Sequence, residues 1–247
     1  MKISVVTIVY NNRETIADAI DSVLAQTYAD IEYIVIDGQS TDGTVEIVKS
    51  YGSKISKFIS EQDGGLYDAI NKGIKLATGD VVGLLHSDDI FNSKGALAAV
   101  AEAFRMNSTE SIYADLVYVD RESTERVVRN WKSGNYKRKS FLYGWMPPHP
   151  TFYVKRDVYE RLGLYNTKFK SAADYELMLR YLYKHGVSTC YVPEVLVRMR
   201  VGGKSNVTLG NRWKANQEDH RAWQINDLRP LFYTRYLKPM RKLVQFL

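Results

Sequence analysis

Asp88 and Asp89 stand side by side after the apolar run Val81-Val82-Gly83-Leu84-Leu85, separated from it by His86 and Ser87. Two adjacent carboxylates repel each other unless a cation, a set of donors or a proton compensates. Hard cations such as Mg2+ or Mn2+ take oxygen ligands, commonly one or two carboxylates together with phosphates. The pair is therefore a candidate for holding a divalent cation that carries a diphosphate; an acidic pair after a strand can equally cap the next helix. Upstream, Asp68, Asn71 and Lys72 stand at i, i+3 and i+4, the spacing of one helix face. Lys72 could donate to a phosphate as a compact charge, and Asp68 could simply oppose a helix dipole. Asp37 closes another apolar run, where a carboxylate can nucleate the Asp-Gly turn or accept from the N–H of a pyrimidine stacked on Tyr10. Asp174, three residues after Ser171, has the spacing of a capping box.

The elements that must position these residues alternate. Ile3–Val9 reads as a buried first strand, β-branched and apolar. Asn12 is a candidate N-cap for a helix with Ile16, Ile20, Val23 and Leu24 at helical spacing. Strands follow at Ile31–Ile36 and Ile55–Ile59, then a helix over Tyr67–Ala77 with Gly79 as its C-cap, then the strand that leads to Asp88. If these strands are parallel, the polar loops at Tyr10-Asn11, Asp37-Gly38, Glu61–Gly65 and Ser87–Asp89 open on one edge, where α/β sheets bind ligands. From Ser111 the texture changes to a less regular, antiparallel region. It has strands at Ile112–Val119, Val127–Trp131 and Thr151–Val154, a Pro-rich connection around His149, a helix from Ser171 to His185, and two strands at Val187–Val192 and Val195–Val201. Asn211–Asn226 reads as a polar helix anchored by Trp213 and Trp223.

At 247 residues, 45% hydrophobic and 25% charged, the chain has ordinary globular composition. Its net charge of +6 is concentrated in Leu228–Leu247, where Arg229, Arg235, Lys238, Arg241 and Lys242 meet no acid. The body is near neutral, which argues against nucleic acid as a partner. The single cysteine, Cys190, excludes an internal disulfide and fits a reducing compartment. The absence of a leader-like or spanning run points to the cytoplasm. Two resemblances fail: Gly202-Gly203-Lys204-Ser205 ends like a P-loop but has Arg198 where the first Gly belongs. Asp37–Val48 carries Gln39 and Val48 where an EF-hand needs carboxylates.

Five stretches, in order, carry a further likeness: SVVTIVYNN, IDGQSTDGT, EQDGGLYDAINKGIKLATGD, LLHSDD and AADYELMLR. Over residues 3 to about 205 the chain resembles family 2 glycosyltransferases, the inverting GT-A type of bacterial polysaccharide synthesis. The resemblance implies an α/β fold with a GT-A, Rossmann-like mixed sheet, an appended acceptor region and a C-terminal helical tail. The halves expected are 1–105 for the nucleotide sugar, 106–210 for the acceptor, and a basic amphipathic tail at 211–247. It implies a nucleoside-diphosphate sugar as donor, a UDP-sugar first, and Mn2+ or Mg2+ held by Asp89. Asp88 would contact ribose or sugar, Thr7, Tyr10 and Asp37 would line the base pocket, and Asp68, Asn71 and Lys72 would lie near the donor. Asp174 would be the general base that takes the proton from the acceptor hydroxyl. His149, Glu176 and Ser205 join as acceptor-side or loop residues, Glu176 with a structural role as its alternative.

The tail interleaves Leu228, Leu231, Phe232, Leu237, Met240, Leu243, Val244 and Leu247 with its bases, and Pro230 and Pro239 divide it. It could dock on the body, or lie on an anionic membrane and suit a lipid-linked acceptor. Two other functions remain open at this point. A sugar-nucleotide nucleotidyltransferase would need a Gly-rich, basic loop after the first strand, where this chain has Asn11-Asn12-Arg13. A non-catalytic nucleotide-sugar-binding module would not need Asp37, Asp89 and Asp174 together.

Overall fold

The computed structural model describes residues 1–202 and 209–241. Its strands are β1 (Ile3–Val9), β2 (Ile31–Asp37), β3 (Lys57–Ser60), β4 (Val81–Leu84), β5 (Asp89–Phe91), β6 (Ser111–Val119), β7 (Val127–Trp131), β8 (Tyr153–Lys155) and β9 (Thr189–Arg200). The helices are α1 (Ile16–Leu24), α2 (Thr44–Ser50), α3 (Leu66–Leu76), α4 (Ala96–Met106), α5 (Arg156–Leu162), α6 (Ala173–Met178), α7 (Leu209–Ile225) and α8 (Thr234–Arg241). Among the described residues the strands form one mixed sheet in the order β3-β2-β1-β4-β8-β6-β9-β5, with β7 beside β6. β1, β2, β3 and β4 pair in parallel, and β8 is antiparallel to both β4 and β6. β6, and β9 parallel to it, therefore point the same way as β1, and six strands present their carboxyl ends on one edge.

A chain-length constraint bends this sheet. β4 and β5 are consecutive in sequence but four strand spacings apart in order. Laid flat at ~4.8 Å per spacing they would stand about 19 Å apart, whereas Leu84 to Asp89 reaches at most about 17 Å. The sheet curls, and residues 85–88 cross the resulting cleft.

Alternation along β1 and β2 sends Val6, Ile8, Ile34 and Ile36 to the layer under α3, α5 and α6, and Ile3, Val5, Tyr33 and Val35 to the layer under α1, α2 and α4. Both faces are buried, as an apolar parallel strand requires. Several local expectations shift. The third strand begins at Lys57, after a 3₁₀ turn at Gly52–Lys54, while Ile55 plugs the core. Gly79 is not the cap of α3, which ends at Leu76 with Ala77 as its C-cap. A Cβ on Gly79 would lie 2.6 Å from Ser4 Oγ, so its glycine permits close approach to β1. The two late strands are one, β9, which crosses Pro193 where the register with β6 slips, a place that tolerates proline. The helix expected from Ser171 begins at Ala173 and continues as a π-helix over Leu179–Lys184.

The tail is docked. Thr234 Oγ1 donates to the Leu142 carbonyl at 2.6 Å, and Lys238 Nζ meets Asp219 at 2.6 Å while lying 3.6 Å from the centre of the Tyr175 ring. α8 runs through Pro239, where a break was expected.

At the amino-terminal edge Glu32 ties four segments. Its buried carboxylate accepts from Ser4 Oγ (2.6 Å), Thr78 N (2.7 Å), Thr78 Oγ1 (2.9 Å) and Lys57 Nζ (2.8 Å). Burial pushes the carboxyl up, but those hydrogen bonds outweigh it and hold it at about 2. A depressed folded value means that the ionised network stabilises the fold above the unfolded carboxyl's range and is lost as pH falls toward 2. Glu32→Gln should cost about 3 kcal/mol in urea unfolding at pH 7, and the gap to the parent should shrink steadily below pH 4.5.

Candidate active site

Asp37 ends β2 fully buried and accepts from Ser40 N (3.0 Å), Ser40 Oγ (2.5 Å) and Ser60 Oγ (2.7 Å). It clamps the ends of β2 and β3 together. Thr7, expected at the base, is fully buried in the sheet, and its Oγ1 accepts from Tyr33 at 3.1 Å; it is a core residue with no surface to offer. Tyr10 is 56% exposed. Its ring and the Asp63 carboxylate close on Gly38, whose imagined Cβ would lie 3.4 Å from Tyr10 and 2.6 Å from Asp63 Oδ2. Asp63 and Gly38 are the members that sequence reasoning missed; Asp-Gly at a strand end was the available signal.

Asp68 and Lys72 share the outer face of α3, but they face each other and the preceding loop. Gly64 N donates to Asp68 (2.9 Å), which, with Lys72 nearby, lowers its carboxyl. Lys72 Nζ pairs with Glu61 (2.9 Å) and donates to the Gln62 carbonyl (3.0 Å), and the Glu61 bond raises its ammonium. Asn71 departs from that face: it donates to the Tyr165 carbonyl and accepts from Tyr165 N, a two-point clamp in the core.

The connector 85–88 is fastened from β1's loop. Asn12 Nδ2 donates to Ser87 Oγ and Thr15 Oγ1 to the Ser87 carbonyl, both at 2.9 Å. Asn12 is thus a strut for the connector, and α1 starts from Thr15 without a side-chain cap. Asp89 opens β5 opposite Met199 and is 1% exposed. Its Oδ1 accepts from Arg200 N at 3.3 Å, and its Oδ2 is buried without a hydrogen-bond partner. Burial, and then the neighbouring Asp88, push this carboxyl well above its ordinary range, against the pull of Arg200. Arg200, another residue the sequence did not single out, donates to the Asp88 carbonyl (2.9 Å) and to Asp18 (2.5 Å).

An orphaned, buried carboxylate oxygen is the donor that a hard cation needs, since such cations are held by few protein ligands plus phosphates. No group of three His, Cys, Asp or Glu side chains among the described residues completes a metal shell. Asp89 and its neighbour Asp88 therefore fit a cation that shares its coordination with a bound diphosphate.

Asp174 lies in the first turn of α6 with 20% of its side chain exposed. Its Oδ2 is 3.6 Å from His149 Nδ1, and Tyr67 OH reaches Oδ1 at 3.5 Å. Burial, and then Asp174, push the Tyr67 phenol far up, so it remains a donor. His149 Nε2 meets His86 Nε2 at 2.9 Å. Burial pushes the Tyr118 phenol on β6 up, the Arg129 guanidinium pulls it down, and Asp89 and Asp174 both add to the rise, so both acids lie within electrostatic range of one ring. Ser171 is no cap; its N and Oγ donate to Glu218. Glu176 drops out of the site: it is 2% exposed, pairs with Arg180 at 2.8 Å and accepts from Asn226. Arg180 in turn donates to the carbonyls of Leu162, Gly163 and Leu164. Ser205 lies outside the described residues. A surface hollow of about 690 Å³ lined by Thr109, Tyr113, Ser188 and Tyr191 sits at the opposite edge and contains none of these residues.

Residues 4–163 match the family described as glycosyl transferase family 2. An uncharacterised glycosyltransferase of Mycobacterium tuberculosis is 33% identical over 72% of this chain and 68% of its own length. A PGL/p-HBAD biosynthesis glycosyltransferase of Mycobacterium bovis is 30% identical over 76% of this chain and 72% of its own. Among solved structures, S. aureus TarS 1-349 in complex with UDP-GlcNAc superposes with a TM-score of 0.70 at 18% identity, covering 92% of this chain and 65% of that one. A mannosyltransferase from Pyrobaculum calidifontis with GDP-Man and Mn2+ gives 0.69 at 18%, covering 98% and 69%. This chain has the GT-A fold of those structures.

Because a raised folded value makes ionised Asp89 a destabilising group once pH exceeds the ordinary carboxyl range, Asp89→Asn should raise the metal-free melting temperature at pH 8. The gain corresponds to about 1 kcal/mol, since an unpaired buried amide costs less than an unpaired buried charge. An unchanged or lower melting temperature would show that the carboxylate is already compensated.

Proposed function

This chain belongs to glycosyl transferase family 2, and on that premise we propose that it transfers a sugar from a nucleoside-diphosphate donor to a hydroxyl, with inversion at the anomeric carbon. The observation that carries this reading is the link between Asp89 and Asp174: the connector that leads into Asp89 carries His86, whose Nε2 lies 2.9 Å from His149, and His149 lies 3.6 Å from Asp174. Asp174 takes the acceptor proton as the acceptor oxygen bonds to the anomeric carbon, and the bond to the diphosphate breaks on the far side. A cation held by Asp89 beside Asp88, Mn2+ or Mg2+, would neutralise the leaving diphosphate. Tyr10 offers its exposed ring to the base above Gly38, with Asp63 beside it. The solved neighbours bound to UDP-GlcNAc and to GDP-Man with Mn2+ support a nucleotide-sugar donor, and a UDP-sugar is the first to test.

The acceptor is proposed to be a glycan or lipid-linked saccharide in cell-surface polysaccharide or glycolipid synthesis, presented at an anionic membrane surface. Phe232 is 87% exposed beside exposed Arg229, Tyr143 stacks on Tyr233, and α8 rests on Tyr175, next to the base. No helix among the described residues is long and apolar enough to cross a membrane.

Calorimetry with UDP-, GDP- and dTDP-sugars, with and without Mn2+, should find one donor class whose binding needs the metal and is lost in Asp89→Ala. Asp174→Asn should keep that binding but lower turnover by about 10²–10⁴-fold; metal-independent binding that survives Asp89→Ala would remove the cation from the reading. In co-sedimentation, phosphatidylglycerol vesicles should retain the protein and phosphatidylcholine vesicles should not. Phe232→Glu with Arg229→Glu should cut retention about tenfold or more, and equal pelleting of parent and variant would dismiss the membrane surface.

A further inference from the structure

We infer that His86 is a positioning residue for the base: its Nε2–H donates to His149 Nε2 and thereby fixes the His149 tautomer that aims Nδ1–H at Asp174. This rests on the reading of Asp174 as the base and goes beyond it, because His86 belongs to the donor-side connector. The two Nε2 atoms are 2.9 Å apart, and the rings meet edge to face with centroids 5.0 Å apart. Two N–H groups cannot face each other at that distance, and two bare lone pairs would repel, so one proton lies between them. The carboxylate decides whose it is. A bare His149 Nδ1 would turn its lone pair on Asp174 Oδ2 at 3.6 Å, whereas Nδ1–H is attracted there. His149 then carries its proton on Nδ1, its Nε2 accepts, and His86 is the donor.

Both rings are neutral at ordinary pH. Burial, then the facing His149, push His86 down to about 4 against the opposite pull of Asp88 and Asp174, and burial holds His149 at about 4. Each ring is mounted stiffly. Pro148 and Pro150 flank His149, and Thr151 Oγ1 accepts from Ala114 N on β6 and shares its one proton between the Ala114 and Pro148 carbonyls. Ser87, next to His86, is held by Asn12 and Thr15. The connector that sets Asp89 for the donor thus also carries the first link in the support of Asp174. A base that faces a donor at each oxygen, His149 Nδ1–H 3.6 Å from one and Tyr67 OH 3.5 Å from the other, is biased electrostatically against turning about its own side-chain bond. Small misplacements of a base cost large factors in rate.

The test has a spectroscopic and a kinetic arm. In nitrogen-15 histidine spectra of the whole protein, which has four histidines, His149 should be the Nδ1–H tautomer and His86 the Nε2–H tautomer at pH 7. His86→Gln, whose amide can still donate, should leave His149 unchanged, and His86→Leu should let it revert to a mixture. The opposite pair of tautomers, or an unaltered His149 in His86→Leu, overturns the inference. With the nucleotide sugar that the parent hydrolyses fastest, His86→Leu should lower kcat about tenfold with donor KM within twofold, and His86→Gln should recover most of it. A rise in KM at constant kcat would make His86 a donor-binding residue and overturn the inference while leaving Asp174 in its role. Full activity of Asp174→Asn would instead overturn the reading of the base itself.

Discussion

Four residues, Leu85 to Asp88, have to carry the chain from β4 to β5 across an order of strands in which three others intervene. That tether is too short for a flat sheet, and the cleft follows from it. The curl brings the carboxyl ends of β6 and β9 toward those of β1 and β4. It places Asp89 against β9, where Arg200 can hold both the Asp88 carbonyl and Asp18 on α1. It also brings His86 to the Pro-rich turn at His149, from a segment 63 residues away in sequence. A longer connector would relax all of these placements at once.

The same tether explains where unfavourable electrostatics can be tolerated. Asp89 is buried with one oxygen unmatched, and Asp88 adds like charge. Such an arrangement persists only if the surrounding structure over-determines it. The opposite edge supplies that support: Glu32 gathers Ser4, Lys57 and Thr78 into a network whose hydrogen bonds overcome its own burial. One carboxylate is satisfied several times over at the edge that holds the strands in register. The other is left short at the edge where a ligand can complete it.

The parallel first half and its convergent loops were legible because apolar runs, β-branched residues and punctuating Asp-Gly pairs all act locally. The sequence also singles out the Asp88-Asp89 pair by its place after a strand, and Asp174 by a motif. Three kinds of information were not local. Side-chain parity in a doubly buried strand cannot be read from an unbroken apolar run, which is why Thr7 looked available and is sealed behind Tyr33. Helix spacing groups Asp68, Asn71 and Lys72, yet Asn71 turns toward Tyr165, because a partner 94 residues away decides which edge of the face is buried. Glu176 lay within a persuasive motif and serves Arg180, a helix neighbour at i+4 that spacing alone offers, and Asn226, which only the fold brings to it. His86 passed as a spacer for the same reason.

The tail shows how a composition can be correct and its geometry still undecided. Its bases and apolar residues suit either a membrane or the body, and the structure docks some of them on the body while leaving others exposed. Lys238 turns inward onto Tyr175 and Asp219, and Thr234 is fastened to Leu142. Gly144 has no room for a Cβ because the backbone of Lys238 lies against it. Phe232 and Arg229 are left facing outward. A docked helix holds its outward residues at a fixed distance from whatever its inward residues touch, which a free tail does not. Here Lys238 touches Tyr175, one position from Asp174, and Phe232 lies in the turn that leads into α8, so a surface that captured Phe232 would sit at a set distance from Asp174.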